Sequence, residues 1–385
     1  MKIISVVGAR PNFMKIAPFI RAIGEYNAHR PLKPIQHILV HTGQHYDDRM
    51  SKAFFEALNI PDADINLGVG SGSHAEQVGQ TMITFEKVLE KEKPDWVVVV
   101  GDVNATLACS VAAKKLHTNV CHIEAGLRSR DMKMPEEINR LVTDRLSDLL
   151  LIPDSLSGEN LLKEGTPQKN IVFVGNIMID TLESNREKAK QYRLEDILRK
   201  NKLLEKSIIE GLNGRYALIT LHRPSNVDEL NVLKPLIDFF VDEVATDRPV
   251  IWPIHPRTQK QLQKFNLWQK VTACNNLVLL HPIGYHEMLR LNMEASIMLT
   301  DSGGLQEECT VLGTPCLTLR WNTERPITLR ENGGASVLVG NNVERIRNEY
   351  LFTLKQDRVP QRPELWDGQT AKRCVKAIME FKEDY

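Results

Sequence analysis

The sequence lacks most features that mark secreted, membrane-spanning or metal-binding proteins. Its six cysteines form no CxxC pair and show no zinc spacing, so the thiols are predicted to be reduced and buried. No apolar run reaches transmembrane length, and residues 1–15 lack the features of a signal peptide. A formal net charge of +0 argues against nucleic acid as the main partner. These absences favour a cytoplasmic protein with no resident metal or cofactor.

Short apolar runs recur along both halves of the chain, and each precedes a helix-like segment. They cover residues 3–7, 37–41, 96–100, 120–123, 149–152 and 171–174, then 217–221, 250–254, 277–280, 295–299, 315–319 and 335–339. Because these runs are continuous and do not alternate with polar residues, they predict strands buried on both faces, as in parallel sheets. The alternation of strands and helices predicts an α/β fold with two doubly wound, Rossmann-like domains.

A chain of 385 residues exceeds what one core usually supports, so two domains are expected. The predicted boundaries are 1–175 for the N-terminal domain and 176–366 for the C-terminal domain. Residues 367–385 contain an amphipathic helix that is predicted to pack back toward the N-terminal domain.

Polar residues cluster where the predicted strands end. In open α/β sheets ligands bind outside the carboxyl ends of the strands, so both domains are expected to direct these side chains toward one central cleft. The residues concerned are Gly8, Arg10, Gln44, His45, Asp102, Glu124, His222, Arg223, His255, Asp301 and Ser302.

The segment TDSGGLQEE, residues 300–308, carries the strongest single signal. A predicted strand leads into a turn at Ser302, Gly303 and Gly304, and a helix is predicted from residue 305 to 312. Backbone N–H groups at such a helix start favour an anion, and glycine allows a phosphate to approach closely. Glu308, one turn further, could hold sugar hydroxyls. The alternative is an ordinary βα turn without a ligand.

Basic residues at other strand ends extend this interpretation. Arg10 and Lys15 in GARPNFMK could contact a diphosphate, although a solvated basic helix start is the alternative. His222 and Arg223 precede Pro224 at a strand end, where histidine can carry a proton or contact phosphate. A lone histidine is more often structural, and His255 is the weaker case of the two.

Three carboxylates are candidates for proton transfer. Asp102 ends a fully apolar strand, and capping of the next helix is the less favoured alternative. Glu124 leaves a strand in HIEAGLR, and Glu136 lies just after Pro135, where an acidic residue also suits the helix dipole. Together with the cationic groups, these residues predict a cleft that binds a diphosphate and moves protons.

In this order the motifs resemble those of the non-hydrolysing UDP-N-acetylglucosamine 2-epimerases. The resemblance runs collinearly through GARPNFMK, GQHYD, VVVVGD, HIEAGLR, PEEINR, VGN, LHRPSN, TDSGGLQEE and TERP. It implies the fold of the B-type glycosyltransferases, a homodimer, and a UDP-sugar substrate without cofactor.

The resemblance also implies a reaction and roles for individual residues. UDP-GlcNAc would lose its C2 proton and UDP, giving 2-acetamidoglucal, and UDP would then add back with protonation on the opposite face. The residues implied as catalytic are Asp102, Glu124, Glu136 and His222. Those implied as substrate-binding are Arg10, Lys15, His255, Ser302, Gly303, Gly304, Glu308 and Arg325.

Two departures from the family pattern affect what is expected. Many bacterial members carry a second glutamine three residues after the one that matches Gln44, in an allosteric site, and Asp47 stands there. This argues against activation by substrate. Pro224 follows His222 and Arg223 where the family usually has HRRE or HREN, which affects sugar specificity. The alternatives are an epimerase of a related UDP-2-acetamido sugar, a hydrolysing epimerase, a B-type glycosyltransferase and a non-catalytic nucleotide-sugar sensor.

Overall fold

The computed structural model describes residues 1–43, 60–204 and 215–382. The chain divides into two compact units. Unit 1 comprises Met1–Ser184 and Pro363–Tyr385, and unit 2 comprises Asn185–Arg362. None of the helices in these described ranges is long and apolar enough to cross a membrane.

Unit 1 is built on a seven-stranded parallel sheet with the strand order β3-β2-β1-β4-β5-β6-β7. Its strands are β1 (Lys2–Val7), β2 (Gln36–His41), β3 (Ile65–Asn66), β4 (Trp96–Val100), β5 (Asn119–Ile123), β6 (Leu149–Ile152) and β7 (Ile171–Phe173). The helices between them are α1 (Arg10–Ala28), α2 (His74–Glu92), α3 (Asn104–Lys115), α4 (Pro135–Leu146), α5 (Ser155–Lys163) and the short 3-10 helix Gln168–Asn170. Helix α6 (Ile177–Lys190) follows β7.

Unit 2 has a six-stranded parallel sheet with the order β10-β9-β8-β11-β12-β13. Its strands are β8 (Ala217–Thr220), β9 (Val250–Pro253), β10 (Leu277–Leu280), β11 (Ile297–Thr300), β12 (Cys316–Thr318) and β13 (Ser336–Leu338). Its α-helices are α7 (Leu194–Asn201), α8 (Pro224–Val227), α9 (Leu230–Phe239), α10 (Ala245–Asp247), α11 (Pro256–Lys264), α12 (Trp268–Ala273), α13 (Tyr285–Glu294), α14 (Gly303–Leu312) and α15 (Val343–Thr353). A π-helix spans Phe240–Val244, and 3-10 helices span Pro326–Thr328 and Arg330–Asn332. The last helix of the chain is α16 (Thr370–Glu380).

The sheet of unit 2 carries a hydrophobic core on each face, and in unit 1 every residue of β4 is buried. Ala217 and Ile219 of β8 belong to one apolar cluster, whereas the intervening Leu218 belongs to another. Successive side chains of a strand point to opposite faces, so a strand covered on both sides must be apolar at every position. The predicted class, two doubly wound α/β domains, is confirmed.

Local differences from the prediction are small. Strand β3 has two residues and was not predicted, because so short a segment carries no pattern of its own. Helix α14 begins at Gly303 and not at Leu305, so the two glycines form its first turn and Ser302 is its N-cap. Five of the six cysteines are buried and all six are free thiols.

The division between the units differs from the predicted boundaries at residues 175 and 366. It falls inside α6 and again between Arg362 and Pro363. The first half of α6 belongs to unit 1 because the Asp180 carboxylate accepts hydrogen bonds from the backbone N–H groups of Thr370 and Ala371, at 3.0 and 2.7 Å. Trp366 also belongs there, since its indole Nε1 donates to the Pro153 carbonyl at 3.0 Å. Helix α16 packs against α1 of the same unit.

Candidate active site

Neighbouring strands of unit 1 bring the candidate proton-transfer groups to one edge of the sheet. Strand β4 pairs in parallel with β1 on one side and β5 on the other. Lys15 lies on α1, which follows β1, Asp102 follows β4 and Glu124 follows β5. The carboxyl ends of parallel strands lie together, so residues more than 80 positions apart become neighbours.

Glu124 is held in an unusual backbone conformation. Its φ angle is +74°, in the left-handed region that residues other than glycine, asparagine and aspartate rarely adopt. The residue is buried, and its Oε2 accepts a hydrogen bond from Lys15 Nζ. Strained backbone that persists at a strand end is typical of a functional position. The geometry fixes this carboxylate at the carboxyl edge of the sheet.

Gly101 leaves the space that the Lys15–Glu124 pair occupies. Its φ angle is +69°, and a Cβ atom there would lie 2.9 Å from Lys15 Nζ and 3.3 Å from Glu124 Oε2. Asn12 fastens the same region, because its Nδ2 donates to the Val100 carbonyl at 2.7 Å. Sequence reasoning did not single out Asn12 or Gly101, although both lie inside the motifs GARPNFMK and VVVVGD.

Asp102 is anchored from helix α4. Its Oδ2 receives a hydrogen bond from Arg140 NH1, and its backbone carbonyl accepts from Asn139 Nδ2 at 2.8 Å. The Asp102 side chain remains 23% exposed, whereas that of Arg140 is only 2% exposed. The carboxylate is therefore oriented by a buried cation and still reachable by a small molecule. Asp102 does not cap the following helix, whose N-cap is Val103.

The adjacent glutamates at the start of α4 have different environments. Glu137 is buried and accepts hydrogen bonds from the backbone N–H groups of Ser129 and Arg130, at 2.9 and 2.8 Å, and from Arg140. Burial raises the pKa of Glu137, but these donors outweigh it and hold the pKa below its ordinary value. Glu136 is half-buried, and no described residue donates a hydrogen bond to its carboxylate. Glu137 thus fixes the loop, and Glu136 is the glutamate available to a ligand.

A buried ion network supports the segment that carries Glu124. Asp144 of α4 accepts from the Gly126 backbone N–H at 3.1 Å and from Arg128 NH1 at 2.6 Å, and its Oδ1 lies 2.6 Å from His122 Nδ1. His122 Nε2 lies 2.9 Å from the Gly101 carbonyl oxygen, which can only accept, so Nε2 donates. Burial raises the pKa of Asp144, but His122 and Arg128 more than offset this effect and hold it low. Sequence reasoning missed Asp144, whose only signal is its position four residues after Arg140.

In unit 2, His222 follows β8 and meets Asp301, which follows the neighbouring strand β11. His222 Nδ1 lies 2.8 Å from Asp301 Oδ1. The Asp301 side chain is fully buried, whereas that of His222 is 40% exposed. Burial raises the pKa of Asp301, but hydrogen bonds from His222 and from backbone N–H groups outweigh it and lower the pKa. Asp301 is therefore an ionised acceptor behind the histidine.

His255 lies beside His222, with 5.6 Å between the ring centroids. It is the N-cap of α11, and its Nδ1 accepts a hydrogen bond from the Arg257 backbone N–H at 3.1 Å. An acceptor nitrogen carries no proton, so the ring proton of the neutral side chain is on Nε2. The structure brings the two predicted histidines together at adjacent strand ends.

The start of α14 has the small residues that an anion site needs. Gly303 faces a buried ion cluster, because a Cβ atom there would lie 2.8 Å from Glu324 Oε1 and 3.0 Å from Arg325 NH1. Arg325 is buried and donates to Glu324 and, at 2.8 Å, to Glu307 Oε1. The predicted substrate-binding Arg325 thus lies behind the first turn of α14 and packs against two carboxylates. Gly304 is the second residue of this helix.

Glu308 is a buried carboxyl group on α14 with a shifted pKa. No described residue is a hydrogen-bond partner of its Oε2. Burial raises the pKa of Glu308 to about 7; Tyr285 and Asn292 oppose this effect, whereas Glu307 adds to it. A buried carboxyl with an unused oxygen is suited to accept hydrogen bonds from ligand hydroxyls.

Some predicted residues cannot be placed. Arg10 is the first residue of α1, but its side chain lies outside the described part of the structure. Gln44, His45 and Asp47 also lie outside the described residues. No group of three or more His, Cys, Asp or Glu side chains with metal-binding geometry occurs in residues 1–43, 60–204 and 215–382.

Known proteins resemble this chain over nearly its whole length. The sequence model of a family described as UDP-N-acetylglucosamine 2-epimerase matches residues 28–379. The UDP-N-acetylglucosamine 2-epimerase of Methanocaldococcus jannaschii is 41% identical over 98% of this chain and 99% of its own length. The UDP-2,3-diacetamido-2,3-dideoxy-D-glucuronate 2-epimerase of Pseudomonas aeruginosa is 38% identical over 88% of each chain.

Solved structures also match this chain over nearly its whole length. The Methanocaldococcus jannaschii UDP-GlcNAc 2-epimerase in complex with UDP-GlcNAc and UDP matches with a TM-score of 0.87 and 40% identity, covering 98% of this chain and 99% of that one. A lipopolysaccharide outer core galactosyltransferase matches with a TM-score of 0.53 at 12% identity, covering 98% and 100%. That second likeness extends to the fold alone.

Proposed function

Because this chain belongs to the UDP-N-acetylglucosamine 2-epimerase family, we propose that it interconverts UDP-GlcNAc and UDP-ManNAc without net hydrolysis. The observation that carries the proposal is the set of carboxylates at the carboxyl edge of the unit 1 sheet. Asp102 is oriented by Arg140, and neither it nor Glu124 caps a helix. The Glu124 side chain accepts a hydrogen bond from Lys15, and its backbone is in the left-handed region. A nucleotide-binding module or a glycosyltransferase has no need of so many positioned carboxylates in this unit.

The proposed reaction consists of an elimination of UDP followed by its re-addition. A carboxylate removes the C2 proton while the C1–O bond to UDP breaks, which yields 2-acetamidoglucal and UDP. The same UDP oxygen then bonds to C1, and an acid delivers a proton to C2 on the opposite face. Inversion requires one group on each face of the sugar, and we propose that two of Asp102, Glu124 and Glu136 take these roles.

Unit 2 supplies the groups proposed to bind UDP. The departing diphosphate gathers negative charge, which Gly303 and Gly304 at the start of α14 stabilise through backbone N–H groups and the helix dipole. The Ser302 backbone N–H donates to Thr300 Oγ1 at 3.0 Å, so Ser302 is proposed to contribute its hydroxyl group. His222 contacts the same diphosphate through its outward-facing ring nitrogen. Glu308 accepts hydrogen bonds from the ribose hydroxyls. His255 adds a donor next to His222.

Unit 1 carries two cations that are also proposed to bind the substrate. Lys15 has three N–H donors, of which one points at Glu124, so the remaining donors can meet phosphate oxygens. Arg10, at the start of α1, is proposed to add a second cation. The resemblance to the non-hydrolysing enzymes further supports a homodimer, which light scattering would detect as twice the mass of the chain.

Proton NMR of the protein with UDP-GlcNAc in D2O tests the reaction. We expect UDP-ManNAc to appear with deuterium at C2 of both sugars and with no accumulation of free ManNAc. Free ManNAc with UDP would instead identify a hydrolysing epimerase. If UDP-GlcNAc is unchanged, the 38% identity to the Pseudomonas aeruginosa relative makes UDP-2,3-diacetamido-2,3-dideoxy-D-glucuronate the next substrate to test.

Two substitutions separate chemistry from binding. Asp102→Asn and Glu124→Gln keep the shape of the side chain but remove its basicity, so each should lower kcat by roughly 10²-fold or more. The dissociation constant for UDP, measured by titration calorimetry, should stay within about threefold of the parent value, a difference of less than 1 kcal/mol. A loss of UDP affinity as large as the loss of rate would contradict the proposed roles.

A further inference from the structure

Asp301 contacts His222 in a way that determines where the histidine carries its proton. The carboxylate is fully buried, and His222 Nδ1 lies 2.8 Å from its Oδ1. An ionised carboxylate can only accept hydrogen bonds. At 2.8 Å an unprotonated Nδ1 would set its lone pair against this oxygen, so Nδ1 is expected to carry a proton in the neutral ring as well as in the charged one.

The other hydrogen bonds of Asp301 fix the carboxylate itself. Its Oδ2 accepts from the backbone N–H groups of His222 and Arg223, at 3.0 and 2.8 Å, and from Asn226 Nδ2 at 3.1 Å. Asn226 is also tied to the Leu319 carbonyl at 2.9 Å. The His222 backbone N–H also lies 3.2 Å from Oδ1, so both oxygens are held and Oδ1 stays directed at His222.

We propose that Asp301 is a positioning residue that holds His222 in the tautomer protonated on Nδ1, with Nε2 as the nitrogen presented to the ligand. This inference rests on the proposed function, because it assigns His222 to the departing diphosphate. In this tautomer Nε2 of the neutral ring accepts a proton, and the Asp301 carboxylate then stabilises the charged ring. The protonated Nε2 donates to a phosphate oxygen as negative charge develops.

The neighbouring His255 provides an internal contrast. Its Nδ1 accepts from the Arg257 backbone N–H, so the neutral ring carries its proton on Nε2. The two histidines, 5.6 Å apart, thus have opposite tautomers. The buried carboxylate of Asp301 sets the tautomer of His222, and the N-terminus of α11 sets that of His255. The neutral rings can therefore present an acceptor nitrogen (His222 Nε2) beside a donor nitrogen (His255 Nε2).

The tautomer can be measured directly in the unmodified protein. A long-range ¹H–¹⁵N spectrum of the ¹⁵N-histidine-labelled protein distinguishes protonated from unprotonated ring nitrogens, and the His222 signals are assigned by their loss in His222→Gln. We expect a protonated Nδ1 and an unprotonated Nε2 for the neutral His222. The opposite tautomer in the ligand-free protein would overturn the inference, and this result does not depend on any substrate.

Asp301→Asn should reverse the tautomer. The three donors that meet Oδ2 require an acceptor, so the amide oxygen takes that position and the amide nitrogen faces His222 Nδ1. A donor at that place leaves Nδ1 as the acceptor and moves the ring proton to Nε2. We expect kcat to fall by roughly 10²-fold or more, with the KM for UDP-GlcNAc changed by less than about threefold.

Asn226→Ala is the matched control, because it removes one donor to Asp301 and leaves the backbone N–H groups of His222 and Arg223 to hold the carboxylate. It should lower the melting temperature but retain kcat within about twofold. Equal losses of kcat in the two variants would show that Asp301 only anchors the loop, and an unchanged kcat in Asp301→Asn would also refute the positioning role. If Asp301→Asn fails to fold, the spectrum of the unmodified protein decides. Failure to convert UDP-GlcNAc would refute the proposed function and leave the tautomer measurement valid.

Discussion

Replacing Gly101 with alanine is expected to damage catalysis more than stability. The residue links the end of β4 to Asp102, and its φ angle is +69°. A Cβ atom would lie 2.9 Å from Lys15 Nζ, closer than such atoms normally approach, and 3.3 Å from Glu124 Oε2. Because the ammonium group ends a flexible side chain, it moves before the backbone does. The Lys15–Glu124 pair is therefore expected to open.

Two separate magnitudes follow from this geometry. Placing a side chain in the left-handed region costs about 1–2 kcal/mol of unfolding free energy. When the pair opens, Glu124 loses the cation that orients it, and a displacement of its carboxylate by about 1 Å should reduce kcat by roughly 10²-fold. Urea unfolding measures the first effect, and initial rates of UDP-GlcNAc epimerisation measure the second.

Gly165→Ala is the matched control for backbone strain. Gly165 has a φ of +84° in the same unit, but an added Cβ would meet no other atom within 4 Å. It should lose the same 1–2 kcal/mol of stability and keep its kcat. If Gly101→Ala retains a kcat within twofold of Gly165→Ala, then the contact with Lys15 and Glu124 does not govern catalysis and the reasoning is wrong.

Three further substitutions test the charges and helix starts described above. Glu308→Gln should be more stable than the parent at pH 8 by about 3 kcal/mol, since burial raises the pKa of Glu308 from 4.5 to about 7 and one unit is worth about 1.4 kcal/mol. Below about pH 4.5 the carboxyl group is neutral and the parent pays no penalty for burying it, and the parent loses stability relative to the variant as the pH rises through about 7. Urea unfolding at pH 4.5 and at pH 8 would contradict this if the difference in unfolding free energy between parent and variant were the same at both. Gly303→Ala should weaken UDP binding about tenfold, or 1.4 kcal/mol, by disturbing the first turn of α14, whereas Gly284→Ala, where the added Cβ meets only an ordinary 3.5 Å contact, should not; calorimetry with UDP compares them. Glu137→Gln should cost about 1.5–3 kcal/mol at pH 7, because it removes one of the two carboxylates that bind buried Arg140 and leaves Asp102 as the other. Burial raises the pKa of Glu137, but its hydrogen bonds outweigh burial and hold the pKa low. The parent therefore loses its extra unfolding free energy as the pH falls through the lowered pKa. If the variant loses stability in acid as steeply as the parent does, this explanation is wrong.

The sequence was informative about the elements and the candidate groups because those signals are local. A strand buried on both faces needs apolar residues throughout, so WVVVV was enough to predict β4. A polar residue after such a run marks the carboxyl edge of a sheet, which is how Asp102, Glu124 and His222 were identified. The collinear motifs also predicted the family, to which the chain belongs.

The boundary between the units was harder to predict, because the charged stretch at residues 183–206 indicates a helix and connector but not the residue at which the contacts change. Helix α6 runs from Ile177 to Lys190 without a break, and only its contacts divide it. Asp180 bonds to the start of α16, which lies 190 residues later in the chain. No local pattern encodes such a pairing.

The sequence by itself therefore determined which residue types stand at the strand ends, and the tertiary structure decided what each one can do. Glu136 and Glu137 look alike in sequence, but only Glu137 meets the N–H groups of the preceding loop. Asp301 and His222 are 79 residues apart and meet because β8 and β11 are neighbours in the sheet. The order of strands in a sheet depends on packing over the whole unit, so the partner of each charged group is a property of the fold and not of the local sequence.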